Sequence, residues 1–248
     1  MLTVEQLEFW NFGGYLVVPD LLAPQEVDEW LATPFPQDVG PHDHFTDAKY
    51  ARMIAHPKVR DIVTELIGGE PLVTQSMWLN KQPNGTGIAM HQDHHYIKTE
   101  PETLMACWIA FDDADGSNGT LRVMPGSHRD NGGTLYPIVP PKDETQHASW
   151  VVDHTYRERD GREYNVQLHS AEIEGWDGSR EKILEVPAGG GVFFTGKTVH
   201  GSYRNDSDHP RRVFAIHYVR KDTWVYRSDI QRLAPLTGLP IDRSEAGN

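Results

Sequence analysis

From Leu72 onward the apolar residues fall in short runs: Leu72 to Lys81, Leu104 to Phe111, Thr120 to Met124, Ile183 to Val186, Val192 to Thr195 and Arg212 to Val219. Clusters of Gly, Pro, Asn and Asp bound each run. Runs this short, punctuated by turn residues, are the pattern of strands in an antiparallel sandwich or barrel. The 248 residues suffice for one such barrel with its own core, and no internal repeat or low-complexity tract divides them. The expected organisation is a single domain over 1–248, with helical support over 1–70 and the barrel over 71–235.

The support reads as helical from its caps and periodicity. Thr3 followed by Gln6 is a capping-box pattern, Val4, Leu7 and Trp10 follow at near-helical spacing, and Gly13-Gly14 stops the run. Tyr15 to Val18 reads as a strand. Pro24 opens a second helix with Val27, Trp30 and Leu31 on one face, and Pro57 opens a third that Gly68-Gly69 ends. Residues 130–180 interrupt the strand pattern with a polar, charged segment. Its Trp150, Tyr156, Tyr164 and Trp176 supply enough aromatic surface to pack, so an ordered, lid-like insertion is expected. The tail from Leu236 to Asn248 is expected to fray.

Charge narrows the partners. Thirty-six acidic against 23 basic residues leave a net charge of -13, which argues against nucleic acid or an anionic membrane and leaves a small molecule. No apolar stretch reaches the length of a membrane span. The opening Met1-Leu2-Thr3-Val4-Glu5 turns acidic at once, without a signal-peptide pattern, so the cytoplasm is the expected compartment. Cys107, the only cysteine, excludes an internal disulfide and a thiolate cage, and sits in an apolar run as a core residue.

The chemistry-bearing motif is His91-Gln92-Asp93, answered far downstream by His200. Two histidines and one carboxylate are the facial ligand set that holds non-haem Fe(II) while leaving the opposite face open. Positions i and i+2 of a strand point the same way, so one strand end can offer both His91 and Asp93 to a metal. Alone, the triplet reads more readily as a solvated polar turn, because the chain holds 13 histidines. His42 and His44 form a second pair, but no further cluster joins them.

The flanking segments change that balance. After His91-Gln92-Asp93-His94-His95-Tyr96 come Trp108-Ile109-Ala110, then Asn118-Gly119-Thr120-Leu121-Arg122-Val123-Met124-Pro125-Gly126-Ser127-His128. Gly190-Gly191-Val192-Phe193-Phe194, His200-Gly201-Ser202, Asn205 and Arg211 follow, ahead of a strand ending His217-Tyr218. In this order the chain resembles the phytanoyl-CoA dioxygenase family of Fe(II)/2-oxoglutarate-dependent oxygenases. The resemblance implies a double-stranded β-helix, a jelly-roll barrel flanked by helices. It implies that His91, Asp93 and His200 bind Fe(II), with 2-oxoglutarate and O2 as co-substrates. Arg211 would clamp the distal carboxylate of 2-oxoglutarate, a task suited to a guanidinium fork. Neighbouring Arg212 is the competing choice; alternation turns the two opposite ways, and Arg211 is taken. Ser202, Gln75 and Trp108 are further co-substrate candidates. Asn205, Asn118 and His128 read as structural, and Gly119, Pro125 and Gly126 as backbone requirements.

Substrate contacts are expected from Gln92, His94, His95, Tyr96, Arg129 and Tyr203, which flank the metal motif, with His42-Asp43-His44-Phe45 and the insertion as covers. The implied reaction is hydroxylation of an unactivated C–H of a small metabolite, such as a natural-product intermediate, an amino acid derivative or an acyl compound, releasing succinate and CO2. Asp93 argues against halogenation, since a carboxylate fills the position a halide would need. Desaturation, demethylation, cyclisation or epimerisation share the same first step. A cupin-type oxygenase without 2-oxoglutarate would leave Arg211 idle, and a non-catalytic jelly-roll binding module would have no reason to keep all four residues.

Overall fold

The computed structural model describes residues 1–32, 43–45, 48–236 and 241–242. The helix Val4–Gly13 carries the expected reciprocal cap: Thr3 Oγ1 accepts from Gln6 N at 3.2 Å, and Thr3 N donates to Gln6 Oε1 at 2.9 Å. Gly14 ends it in the left-handed conformation (φ 78°), where any side chain would be strained. Helices Pro24–Ala32 and Pro57–Ile67 form where the prolines place them. A further helix, Ala48–Ile54, escaped the sequence reading. Its buried Tyr50, Met53 and Ile54 recur at helical spacing, but the segment is too short for periodicity alone to announce it.

Two antiparallel sheets make the barrel. The larger runs in the order Tyr15–Val18, Gly191–Thr195, Met105–Ala110, Arg211–Arg220, Pro71–Lys81, Arg232–Pro235, Ile241–Asp242. The smaller runs Lys182–Ile183, Leu121–Val123, His200–Ser202, Ile88–His91. The central strands Gly191–Thr195, Met105–Ala110 and Arg211–Arg220 are buried on both faces, and period-two alternation sorts their side chains. Cys107, Ile109, Phe193, Phe214, Ile216 and Tyr218 pack outward against Trp10, Val27, Met53, Val59 and Val63 of the helices. Ala106, Trp108, Ala110, Val192, Phe194, Val213 and Ala215 point inward and meet Leu121 and Val123 of the small sheet. Each fully buried large apolar side chain contributes about 1.5–3 kcal/mol of transfer free energy, so this sorting fixes the register. The result is a double-stranded β-helix whose outer face rests on the helices.

Residues 130–180 hold structure of their own. Val151–Arg157 and Glu163–His169 pair as a hairpin, and Ile138–Val139 pairs with Glu172–Ile173. Tyr156 ties the hairpin down, bridging to Arg227 and donating from its hydroxyl to Tyr96 O at 3.0 Å. Two expectations need correction. Leu236 is buried in the core and Ile241–Asp242 pairs with Arg232–Leu233, so the tail is structured at those positions; its remaining residues lie outside the described ones. His44 is buried with Nδ1 2.9 Å from Ser76 Oγ. Ser76 alternates with Gln75, so His44 packs on the outer face of the sheet rather than over the barrel mouth. His42 lies outside the described residues.

Candidate active site

His91 is the last residue of the strand Ile88–His91, Gln92 stays extended, and Asp93 opens a single turn of 3-10 helix. His200 opens the neighbouring strand and pairs directly with His91. The three side chains converge: Asp93 Oδ1 lies 3.4 Å from His91 Nε2 and 3.5 Å from His200 Nε2. One ligand atom from each residue falls within 4.8 Å of the others, and all three residues are buried. His91 Nδ1 donates to Ala89 O at 2.8 Å and His200 Nδ1 to Thr198 O at 2.9 Å. A carbonyl only accepts, so both rings carry their proton on Nδ1 and turn the Nε2 lone pair to the shared centre. His217 Nε2 lies 3.1 Å from Asp93 Oδ2, leaving Oδ1 on the histidine side. This donor set fits a divalent metal held by two imidazoles and one carboxylate oxygen.

The electrostatics suit a metal rather than protons. Burial brings His200 down to about 4. Burial opposes the charge of Asp93, yet the facing imidazoles of His200 and His217 and the His217 hydrogen bond hold its carboxyl well below the usual range. At neutral pH the site therefore presents a neutral His200 and an ionised carboxylate, the forms that ligate.

The strand that begins at His200 ends at Ser202, which joins Lys81 and its register partner Arg211 in a basic corner. Arg211 is buried, with its guanidinium 5.4 Å from the centre of the Trp108 ring and its Nε without a hydrogen-bond partner among the described residues. Arg212 turns the other way, donating to Asp112 from Nε at 2.9 Å and Nη2 at 2.6 Å. Burial pulls Arg211 down to about 10. Ser202, two residues beyond His200, accepts at Oγ from Lys81 Nζ at 2.8 Å and from Ile88 N at 3.3 Å. When the Lys81 ammonium donates, both acceptor positions are filled and the hydroxyl hydrogen is left to donate to an incoming ligand. Lys81 stands opposite Arg211 in register and also donates to Gly119 O and Tyr203 O. Burial and the charges of Arg211 and Arg122 push Lys81 down to about 6. An arginine with an unmet donor, beside a second basic group and a poised hydroxyl, is a corner built for a carboxylate.

A cavity of about 510 Å³ reaches His91 and Asp93. Met77, Tyr96, Ile97, Trp150 and Leu168 form its apolar wall, and Gln75, His154, His217, Arg227 and Asp229 its polar one. Tyr96 stacks toward both His91 and Trp150, with ring centres 5.6 and 5.5 Å away.

The structure reassigns most of the expected substrate contacts, and only Tyr96 lines this cavity. Gln92 is fully buried and bonds Lys197 O and Tyr136 N. His94 and His95 turn to a separate cleft with Lys98 and Glu102. Arg129 reaches Phe12 O on the first helix, and the Tyr203 hydroxyl donates to Glu181. Sequence adjacency to a ligand misled here because a tight turn sends successive side chains in different directions. Gln75 is redirected too: its amide meets His217 and Arg227, not the basic corner. The structural readings of Asn205, Asn118 and His128 match their bonds to Lys81 O and His209 O, to Asp113 O, and to Asn11 O. Lys81 and His217 were missed, though alternation from Gln75 and Arg211 puts both on the inner face. Arg227 gave no signal, because only the fold brings it to the barrel.

A β-helix that brings two imidazoles and a carboxylate together, with a largely apolar cavity reaching them, has the parts of a metal-dependent oxygenase. The sequence profile of Phytanoyl-CoA dioxygenase (PhyH) matches residues 36–213, and the chain belongs to that family of Fe(II)/2-oxoglutarate-dependent oxygenases. It is 32% identical over 200 residues to phytanoyl-CoA dioxygenase domain-containing protein 1 of Rattus norvegicus, covering 80% of this chain and 62% of the relative. The match thus spans less than two thirds of that relative's length. Among solved structures, the non-heme monooxygenase ThoJ superposes with TM-score 0.72 at 20% identity, covering 94% of this chain and 84% of that one. The epimerase SnoN, in complex with Fe3+, alpha ketoglutarate and nogalamycin RO, superposes with TM-score 0.66 at 18% identity, covering 94% and 95%.

Proposed function

We propose that the chain hydroxylates an unactivated C–H of a small, largely apolar metabolite, converting 2-oxoglutarate and O2 to succinate and CO2. The observation that carries this reading is the convergence of the ligand set, with an apolar-walled cavity reaching it and a buried arginine whose Nε has no partner among the described residues. His91, Asp93 and His200 would hold Fe(II), which with 2-oxoglutarate and O2 supplies the oxidising power that breaks the C–H bond. Arg211 and the Ser202 hydroxyl receive the distal carboxylate, and Trp108 walls that corner. Trp150 and Tyr96 hold an apolar or aromatic substrate face near the metal, while Leu168 and Met77 exclude water.

The 130–180 insertion contributes Trp150, His154 and Leu168 to the cavity, which supports its role as the lid. Whether hydrogen abstraction leads to hydroxylation, desaturation, demethylation, ring closure or epimerisation is set by substrate pose. Among the described residues no helix is long and apolar enough to cross a membrane, and the lone Cys107 is buried. The cytoplasm is the compartment proposed with this reading.

The test is anaerobic titration of Fe(II) and 2-oxoglutarate, followed by the visible metal-to-ligand charge-transfer band. The band is expected in the wild type, lost in His91→Ala and weakened in Arg211→Ala. Metal binding without any such band would overturn the 2-oxoglutarate reading. Succinate release across a panel of small metabolites then identifies the substrate.

A further inference from the structure

A line of buried hydrogen bonds runs from the cavity wall to the carboxylate of the metal site. Arg227 Nη2 donates to Gln75 Oε1 at 3.1 Å, Gln75 Nε2 lies 3.1 Å from His217 Nδ1, and His217 Nε2 lies 3.1 Å from Asp93 Oδ2. All four residues are buried. Gln75 and His217 are partners in the strand register, so adjacent strands hold them side by side.

The direction of every bond follows from one residue. A guanidinium can only donate, so the Gln75 atom facing Arg227 must be the oxygen. The Gln75 amide nitrogen then faces His217 and donates to Nδ1. Nδ1 must be the bare nitrogen, so the ring proton sits on Nε2 and is donated to Asp93 Oδ2. With Oδ2 engaged, Oδ1 alone remains on the side of His91 and His200. Asp229, 2.9 Å from Arg227 Nε, holds the guanidinium in place.

We infer that Arg227 is a positioning residue for the metal centre: acting through Gln75 and His217, it sets the hydrogen-bond direction that keeps Asp93 a one-oxygen ligand. The inference rests on the metal reading of His91, Asp93 and His200. Its consequence is a geometric link between the two halves of the site, since Arg227 and Gln75 also line the substrate cavity. If Gln75 lost its donor-only neighbour, its amide could turn over, the His217 tautomer would follow, and Asp93 would lose its hold on Oδ2.

The test uses Fe(II) affinity and the anaerobic visible spectrum of the Co(II)-loaded protein, neither of which requires turnover. Arg227→Met is expected to weaken metal binding by about ten- to a hundredfold, the usual effect of losing a partner of a ligand, and to alter the Co(II) bands. Arg227→Lys, still a donor without acceptor capacity, is expected to keep the wild-type spectrum. If Arg227→Met does not fold, Gln75→Leu breaks the same line one bond later and is expected to behave alike. Wild-type affinity and bands in the folded methionine or leucine variant would overturn the inference. So would an equal loss in the lysine variant, which would make shape rather than donor direction the cause. A wild-type protein that binds neither metal, or a His91→Ala variant that binds as tightly as wild type, would instead refute the metal reading, and the inference with it.

Discussion

Arg211→Met should make the protein more stable without its co-substrate and blind to it. Among the described residues the buried Arg211 guanidinium has no carboxylate of its own, because Arg212 takes both oxygens of the nearby Asp112. Burial brings Arg211 from 12.5 to about 10. At 1.36 kcal/mol per unit, that difference corresponds to a ceiling of about 3 kcal/mol that the folded state gives up to keep the cation inside. Methionine preserves the apolar stem against Trp108 but removes the charge, so a net gain of about 1–3 kcal/mol is expected, or roughly 2–10 °C in melting temperature for a chain of this size. Differential scanning fluorimetry with and without N-oxalylglycine, an inert 2-oxoglutarate analogue, reads both effects. Wild type should gain stability with the analogue, whereas Arg211→Met should start higher and gain little. Arg212→Met is the control, with a small loss from its half-exposed ion pair and an intact response to the analogue. An Arg211→Met protein that melts below wild type, or that still responds in full, would refute the reasoning.

Three further outcomes follow from the site. Lys81 sits at about 6, so at pH 7.5 the free protein holds it mostly neutral; an arriving carboxylate favours the ammonium, and binding of 2-oxoglutarate should draw in up to one proton. Calorimetry in buffers of different ionisation enthalpy measures that uptake, and heats that do not depend on the buffer would contradict it; Lys81→Met should abolish it. His200 is held at about 4 against 6.5 in an unfolded chain, so the unfolded state binds its proton first. The stability of the metal-free protein should then be complete above about pH 6.5 and decline as pH falls toward 4, by at most about 3 kcal/mol. Urea denaturation at pH 7.5 and 5 tests this, and the same decline in His200→Phe would assign it elsewhere. Trp150→Ala removes part of the cavity wall and should raise the KM for the organic substrate about tenfold or more, with the 2-oxoglutarate charge-transfer band unchanged. A weakened band would place Trp150 on the co-substrate side instead.

The cluster of candidate metal ligands stood out in the sequence because strand geometry and ligand chemistry both constrain short spacings. His91 and Asp93 stand two apart at a strand end, and the converged triad has the placement that pattern implies. The choice of Arg211 over Arg212 rested on alternation, and the two do face opposite ways. The same rule would have found Lys81 and His217, had it been applied along the whole of both strands. The substrate wall was misread for the opposite reason. Gln92, His94, His95, Arg129 and Tyr203 adjoin the motif in sequence, but turns and helix contacts draw them away.

By itself the sequence determined the class of fold, most of the helix ends, the three residues that converge as candidate metal ligands and the choice of Arg211 over Arg212 as the inward-facing arginine. All of these depend on periodicity or on the intrinsic chemistry of residues a few positions apart. Only the tertiary structure decided which Nε2 and carboxylate oxygens face one another, where the cavity opens, and that Arg227, Gln75, His217 and Asp93 form one directed line. Those facts arise where strands distant in the chain close side by side, and burial then forces each polar atom to find its partner across the gap.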